Sequence, residues 1–314
     1  MGTDSSMSEK DRKREMKNDP LFSVIIPTYN RAEFISDTIE SVLVQSYVDF
    51  EVIVVDDGST DSTSEVVSTF KDDRVAYFLK ANEERAAARN AGTNRAKGRF
   101  VTFLDSDDIL YRDHLEVAAE VARNHGDPEF FHLGYEFFEQ NGVRTRPVDS
   151  LPKVGNDRLI HGNALSCRGV FVRRDIAAVH QFNTDRGLSG TEDYELWLRL
   201  ASRYPLYCDN RITSAIVQHD ARSVVNTDKG RLVKRIELLE YYLHNDAEFI
   251  RRFGDRIGEF KANNRVYIAL HLALAGHKTE AYGFLLKALV ISTTALKNRA
   301  FYGTIKRCLV KYGG

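Results

Sequence analysis

Acidic residues stand directly after short β-branched runs in this chain, and that juxtaposition constrains the fold more than any other feature. Residues 22–26 (Phe-Ser-Val-Ile-Ile) stop at Pro27, and residues 50–55 (Phe-Glu-Val-Ile-Val-Val) run into Asp56-Asp57-Gly58. Residues 75–79 form a third run, and residues 100–104 lead straight into Asp105-Ser106-Asp107-Asp108. Between the first two, Phe34, Ile35, Thr38, Ile39, Val42 and Leu43 recur at helical spacing. Residues 61–70 read as helix with Asp61 in capping position, and 84–97 as an Ala- and Arg-rich helix stopped by Gly98. Strand and helix in strict alternation predict an open, doubly wound, Rossmann-like α/β sheet, mostly parallel, with helices on both faces and right-handed crossovers. Ligands of such sheets sit beyond the carboxyl ends of the strands, where these acidic turns fall.

The second half is less regular. It reads as a helix at 113–124, an aromatic strand around 130–138, a Pro/Gly-punctuated loop at 143–156 and a strand at 169–172. The acidic turn Ser189-Gly190-Thr191-Glu192-Asp193 then opens a helix at 194–204, and a strand-like run covers 212–217. From about residue 230 the chain is helical throughout. Residues 266–292 pattern as one tetratricopeptide-like hairpin turning at Gly276, too little for a solenoid and therefore an appendage.

Bulk properties exclude several classes. Forty-three per cent hydrophobic and 28% charged residues are enough for a core, so the chain is not a disordered one. Lys and Arg total 44 against 45 acidic residues, leaving no global field to hold nucleic acid. Cys167, Cys208 and Cys308 are odd in number and lack metal-ligand spacing, which suits a reducing cytoplasm. Residues 1–20 have no apolar segment of the signal-peptide kind and read as a disordered tail. The most apolar stretch, 281–296, is broken by Lys287, so the expectation is a cytoplasmic protein, soluble or peripheral at the inner face of a membrane.

Alternation along extended chain puts Asp105 and Asp107 on one side, where they share a cation or divide between a cation and a ribose. Hard oxygen ligands suit Mg²⁺ or Mn²⁺ bridging a diphosphate, although Asp107 or Asp108 would equally cap the following helix. A carboxylate at the end of a neighbouring strand, such as Asp57, can accept the imide N–H of uracil. Asp56-Asp57-Gly58-Ser59-Thr60-Asp61 lacks the terminal Glu of an EF-hand, and its Asp61 suits a helix cap.

Ser23-Val-Ile-Ile-Pro-Thr-Tyr-Asn30, the Asp56–Asp61 turn, Ala88-Arg89-Asn90-Ala-Gly92 and the Asp105–Asp108 turn, in this order, resemble glycosyltransferase family 2 over about residues 21–222. The resemblance implies a GT-A fold, a nucleotide-sugar donor and inversion at the anomeric carbon. It places Pro27, Thr28, Tyr29 and Asp57 around the base, Asp105 on ribose or metal with Ser106 beside it, and Asp107 on the metal. Arg89 and Asn90 match a donor-side element, Arg89 being otherwise an ordinary helix-surface residue. Asp193 aligns with the catalytic base, kept ionised by the dipole of the helix it opens, while Thr191 suits the cap; Glu192 orients the acceptor or is structural. His219 completes the metal shell, Arg222 neutralises the leaving phosphate, and the polar stretch 221–230 closes over the donor. Residues 21–228 are then the catalytic unit, with a donor half to 112 and an acceptor half from 113, and 229–314 a helical region. No Gln-x-x-Arg-Trp follows Asp193, and Trp197 lies inside the helix as core. This implies one sugar per encounter.

A sugar nucleotidyltransferase or a dehydrogenase would need a Gly-rich loop after the first strand, where Pro27-Thr-Tyr-Asn-Arg31 stands. A non-catalytic binding or scaffold protein of the same fold is the alternative of another class, against which the intact acids speak. UDP is the favoured nucleotide, thymine sharing its imide edge. The acceptor is a glycan or lipid-linked glycan, selected by residues 143–167 and the C-terminal helices. Those helices intersperse Lys and Arg with apolar residues, a pattern that suits anionic headgroups as well as a solvated face.

Overall fold

The structure, a computed structural model, describes residues 19–139, 143–146, 148, 150–218 and 228–309. Four strands lead: β1 (Phe22–Thr28), β2 (Phe50–Asp56), β3 (Val75–Leu79) and β4 (Phe100–Phe103). They pair in parallel in the order β3-β2-β1-β4. All seven residues of β1 are buried, as a strand covered on both faces requires. The intervening helices are α1 (Ile35–Leu43), α2 (Thr63–Ser68) and α3 (Glu84–Thr93).

Alternate residues of the sheet feed two cores. Val24, Ile26, Val52 and Val54 face α1 and α4 (His114–Asn124), while Ile25, Ile53 and Val55 face α3 and the opposite layer. Helix α3 sits so close to β1 that a Cβ built on Gly92 would lie 2.4 Å from Ile25 Cγ2, so only glycine fits there.

The sheet departs from the mostly parallel expectation beyond β4. It continues β4-β8-β6-β9-β5, with β5 at Ile109–Leu110, β6 at Phe130–Glu139, β8 at Val170–Arg173 and β9 at Leu206–Gln218. A short β7 (Arg144–Arg146), inside the expected loop, pairs with β6. Strand β8 is antiparallel to both neighbours, whereas β6 and β9 are parallel. The reversal has a local cause. Arg168 is buried in an ion pair with Asp108 at 2.9 Å, and its carbonyl accepts from Thr102 Oγ1, so β8 starts level with the end of β4 and must run back down.

Helices α5 (Arg174–Val179) and α6 (Glu192–Arg203) follow β8. The C-terminal part is α7 (Lys229–His244), α8 (Ala247–Phe253), α9 (Ile257–Leu274), α10 (Lys278–Ile291) and α11 (Arg299–Leu309). The expected hairpin is α9 and α10, turning at Gly276 with φ +86°. These helices have no core of their own. One apolar cluster runs from Ile25 and Ile53 through Trp197 of α6 to Phe260, Ala281 and Phe301, so the appendage is fused to the α/β layer. Among the described residues no helix is long and apolar enough to cross a membrane.

Candidate active site

The register of the parallel strands decides where the acidic turns meet. Thr28 pairs with Asp56 and Ile25 with Phe103, and Leu104 N–H donates to the Ile25 carbonyl at 2.9 Å. The three strands therefore end at nearly one level, and their turns open into a common cleft of about 500 Å³. Pro27, Thr28 and Tyr29 line it from β1, Asp57 from β2, and Asp105, Ser106 and Asp107 from β4. Tyr29 is 46% exposed, a ring open to stacking beside the buried Asp57.

The first two turns are sewn together by their own side chains. Asn30, in the left-handed region at φ +50°, donates its N–H to Ser59 Oγ at 2.9 Å, and its Oδ1 accepts from the Thr60 N–H at 2.8 Å. Arg31 N–H reaches Thr63 Oγ1, and Ala32 N–H reaches Asp61 Oδ2. Asp61 also accepts from Thr63 N–H, so it does more than close a helix: it ties the α2 entrance to the β1 turn. Gly58, at φ +85°, lets the Asp56–Asp61 turn double back, leaving Asp57 inside. The Asp57 carboxylate accepts from Lys80 Nζ at 2.7 Å and from the Glu83 N–H at 3.0 Å, and lone pairs remain for a ligand.

Behind the β4 turn lies a buried ionic chain. Arg89, 2% exposed, donates to Asp105 Oδ1 at 2.8 Å and to Glu192 Oε1 at 3.0 Å, with Phe182 beneath its guanidinium at 5.2 Å. It is a buried strut, which overturns the surface alternative. Burial opposes charge on Asp105, but Arg89, Arg168 and Arg85 more than offset it and hold the carboxyl well below the usual carboxylate range. Burial likewise works against Glu192, and Arg85 and Arg89 prevail and lower it. Glu192 also accepts from the Gly190 N–H at 2.6 Å, which ties it to the turn before α6.

Asp193, next in sequence, is perturbed the other way. Burial first, then repulsion from Glu192, raise it, with Arg89 only partly compensating. The dipole of α6 is thus set against dehydration and a like charge, which raise the proton affinity of the carboxyl. Its Oδ2 accepts from Asn163 Nδ2 at 3.1 Å, and Cys167 Sγ lies 3.9 Å away. Thr191 occupies the N-cap position but does not cap; its hydroxyl donates to the Leu188 carbonyl. Asp193 is not part of the cleft wall. It connects to Asp105 through Arg89 and Glu192, one step to the side.

Other expected residues fall elsewhere. Asn90 does not line the cleft. Its Nδ2 donates to the Phe182 carbonyl and its Oδ1 accepts from the Phe182 N–H, both at 2.9 Å, which clamps α3 to the segment leading into α6. Asp108 is fully buried on Arg168 and on the Val217 N–H, a structural role. Trp197 is fully buried against Phe182. His219, Arg222 and most of the polar stretch 221–230 lie outside the described residues.

Two cleft cations escaped the sequence reading. Arg31 stands 3.9 Å from Asp107, and Arg85 reaches toward Glu192 at 3.7 Å; both line the cleft. Their signal was faint, since each is one Arg among many, distinguished only by following a strand-end motif or preceding Arg89 by one helical turn. Among the described residues no three His, Cys, Asp or Glu side chains gather into a ready-made metal cage. The Asp105–Asp107 pair nevertheless fits a hard cation that takes one or two carboxylates from the protein and its other ligands from a diphosphate.

A sheet with β3-β2-β1-β4 order and an acidic cleft across its strand ends puts the candidate site where ligands of open α/β sheets bind. The family model described as glycosyl transferase family 2 matches residues 23–171. WfgD of Escherichia coli, named as a UDP-Glc:alpha-D-GlcNAc-diphosphoundecaprenol beta-1,3-glucosyltransferase, is 30% identical over 271 residues, covering 85% of this chain and 98% of its own. An uncharacterized glycosyltransferase of Rickettsia conorii is 28% identical over 316 residues; the chain spans about half of that relative's length, 51%. Residues 1–349 of TarS from S. aureus, solved in complex with UDP-GlcNAc, superpose with a TM-score of 0.62 at 19% identity, covering 91% of each chain. The chain belongs to glycosyltransferase family 2, with a GT-A fold and a helical C-terminal region.

Proposed function

We propose that this glycosyltransferase moves one sugar per encounter, with inversion, from a nucleoside diphosphate donor, UDP favoured, to a hydroxyl of a glycan or lipid-linked glycan. The observation that carries the reading is the single cleft shared by Tyr29, Asp57, Asp105 and Asp107, wide enough for a nucleotide and lined by Arg31 and Arg85. In it Tyr29 stacks on the base and Asp57, already fixed by Lys80 and the Glu83 N–H, accepts the imide N–H. Asp105, held by Arg89, takes the ribose or shares the cation with Asp107. When bound there, Mg²⁺ or Mn²⁺ supplies neutralisation of the diphosphate charge.

Asp193 takes the proton from the attacking acceptor hydroxyl. A carboxylate made more basic by burial and by Glu192 is a stronger proton acceptor than a solvated one. Asn163 aims it. The relation of WfgD to a diphosphoundecaprenol-linked substrate, stated in its name, supports a cell-surface glycan context. The test is a screen of nucleotide sugars for Mg²⁺- or Mn²⁺-dependent turnover, with Asp193→Asn as control. Turnover lost in the variant supports the reading; no turnover of any donor, with binding of none, favours the non-catalytic scaffold.

A further inference from the structure

We infer that the outer faces of α10 and α11 form a docking surface for an anionic lipid bilayer. The first observation is charge. The chain as a whole carries a net charge of −1, yet residues 281–314 contain no Asp or Glu and six cations: Lys287, Lys297, Arg299, Lys306, Arg307 and Lys311. All but Lys311 lie within the described residues, and all five are exposed.

The second observation is apolar exposure at the same place. Sixteen large hydrophobic side chains are exposed among the described residues, and six of them fall in this segment: Leu286, Val290, Ile291, Leu296, Tyr302 and Leu309. Val290 is 88% exposed and Leu309 70%. Both helices turn their other faces inward, through Ala281, Leu285 and Ala288 on α10 and Phe301, Thr304 and Cys308 on α11. Helix α9 receives both. Among the described residues, packing within the chain does not use the exposed faces. Scattered single apolar residues are ordinary on a surface, but six on two helices and the segment joining them, threaded with cations, are not; the one acid on either helix, Glu280 in the first turn of α10, is already paired with Lys229 at 2.8 Å.

Charge selects the occupant. A second copy docked face to face would set five cations against five cations, which like-charge repulsion opposes. A bilayer with anionic headgroups satisfies both halves: Leu286, Val290 and Leu309 enter the acyl boundary while Lys and Arg meet phosphate. The surface is independent of the donor cleft, so it stands or falls apart from the assignment of donor and acceptor.

The test is flotation of the full chain with vesicles of phosphatidylcholine alone or mixed with phosphatidylglycerol. Binding is expected only to the mixed vesicles and to fall with added salt. Lys306→Glu/Arg307→Glu should lower partitioning by more than about tenfold, since each surface cation contributes about fivefold. Leu286→Ser/Val290→Ser should lower it without changing the salt response, and both variants should keep the wild-type melting temperature because the altered side chains are exposed. Equal flotation of wild type and both variants overturns the inference, as does absence of binding to mixed vesicles at low salt. A concentration-dependent dimer that the Leu286→Ser/Val290→Ser variant abolishes would assign the face to a second copy and also overturn it.

Discussion

Replacing Arg89 by Met removes the cation from a buried site and leaves Asp105 and Glu192 facing one another's surroundings without it. Breaking a buried ion pair by deleting one partner costs about 3–5 kcal/mol, because the remaining charge is dehydrated and uncompensated. That is a large part of the roughly 5–15 kcal/mol that holds a typical domain. The contact with the Phe182 ring, worth about 0.5–1 kcal/mol, is lost as well and does not depend on pH. The ionic part does. In the native protein Asp105 and Glu192 are both held below ordinary carboxylate values, so they contribute stability above the unfolded value of about 4 and lose it as pH falls through their folded values. Without Arg89 both carboxyls shift upward, held only by Arg85 and, at Asp105, Arg168, so the penalty fades in acid. Urea unfolding of the wild type and Arg89→Met at neutral pH and near pH 4 reads the difference directly. We expect the loss to be smaller near pH 4 than near neutrality, because the carboxyls of the variant protonate there while those of the wild type stay ionised. A loss of the same size at both pH values, or one below about 1 kcal/mol at neutral pH, refutes the picture of an electrostatic strut.

Asp193→Asn should lower kcat by at least about a hundredfold while leaving the melting temperature equal or higher, since burial and Glu192 penalise its charge in the folded state, a penalty that grows as pH rises above the unfolded value and is complete above the raised folded one. Wild-type kcat should correspondingly fall on the acid side at a higher pH than an unperturbed carboxylate gives, as read in a pH–rate profile. Gly92→Ala forces a methyl into Ile25 and should destabilise by about 1–3 kcal/mol in chemical denaturation. Asn90→Ala strands the Phe182 N–H and carbonyl and should cost about 1–3 kcal/mol, with UDP affinity unchanged in a titration; a large loss of UDP affinity at full stability would return Asn90 to the donor site.

The N-terminal half of the sheet was legible because its information is local. A β-branched run ending at Pro or at Asp marks a strand and its carboxyl end in the same few residues, and parallel pairing then brings the ends of β1, β2 and β4 together. What the sequence did not disclose depends on partners far along the chain. Arg89 meets Glu192 across 103 positions and Asn90 meets Phe182 across 92, so neither periodicity nor spacing distinguishes strut and clamp from ligand-binding residues. The reversal of β8 has the same origin, in the Arg168–Asp108 pair. Asp193 was recognisable by its motif, but the direction in which its proton affinity moves was not. Adjacent Glu192 and dehydration set it, and both become visible only once the helix is seated.

The central claim is that carboxylates from separate strand ends make one nucleotide site. Calorimetric titration of UDP in the presence of Mn²⁺ tests it most directly, on the wild type, Asp57→Asn and Asp107→Asn. The account predicts saturable binding by the wild type, weaker by about 10–100-fold in each variant, with the manganese requirement weakened only by the change at Asp107. Undiminished binding in both variants, or UDP binding to none of the three proteins, contradicts it.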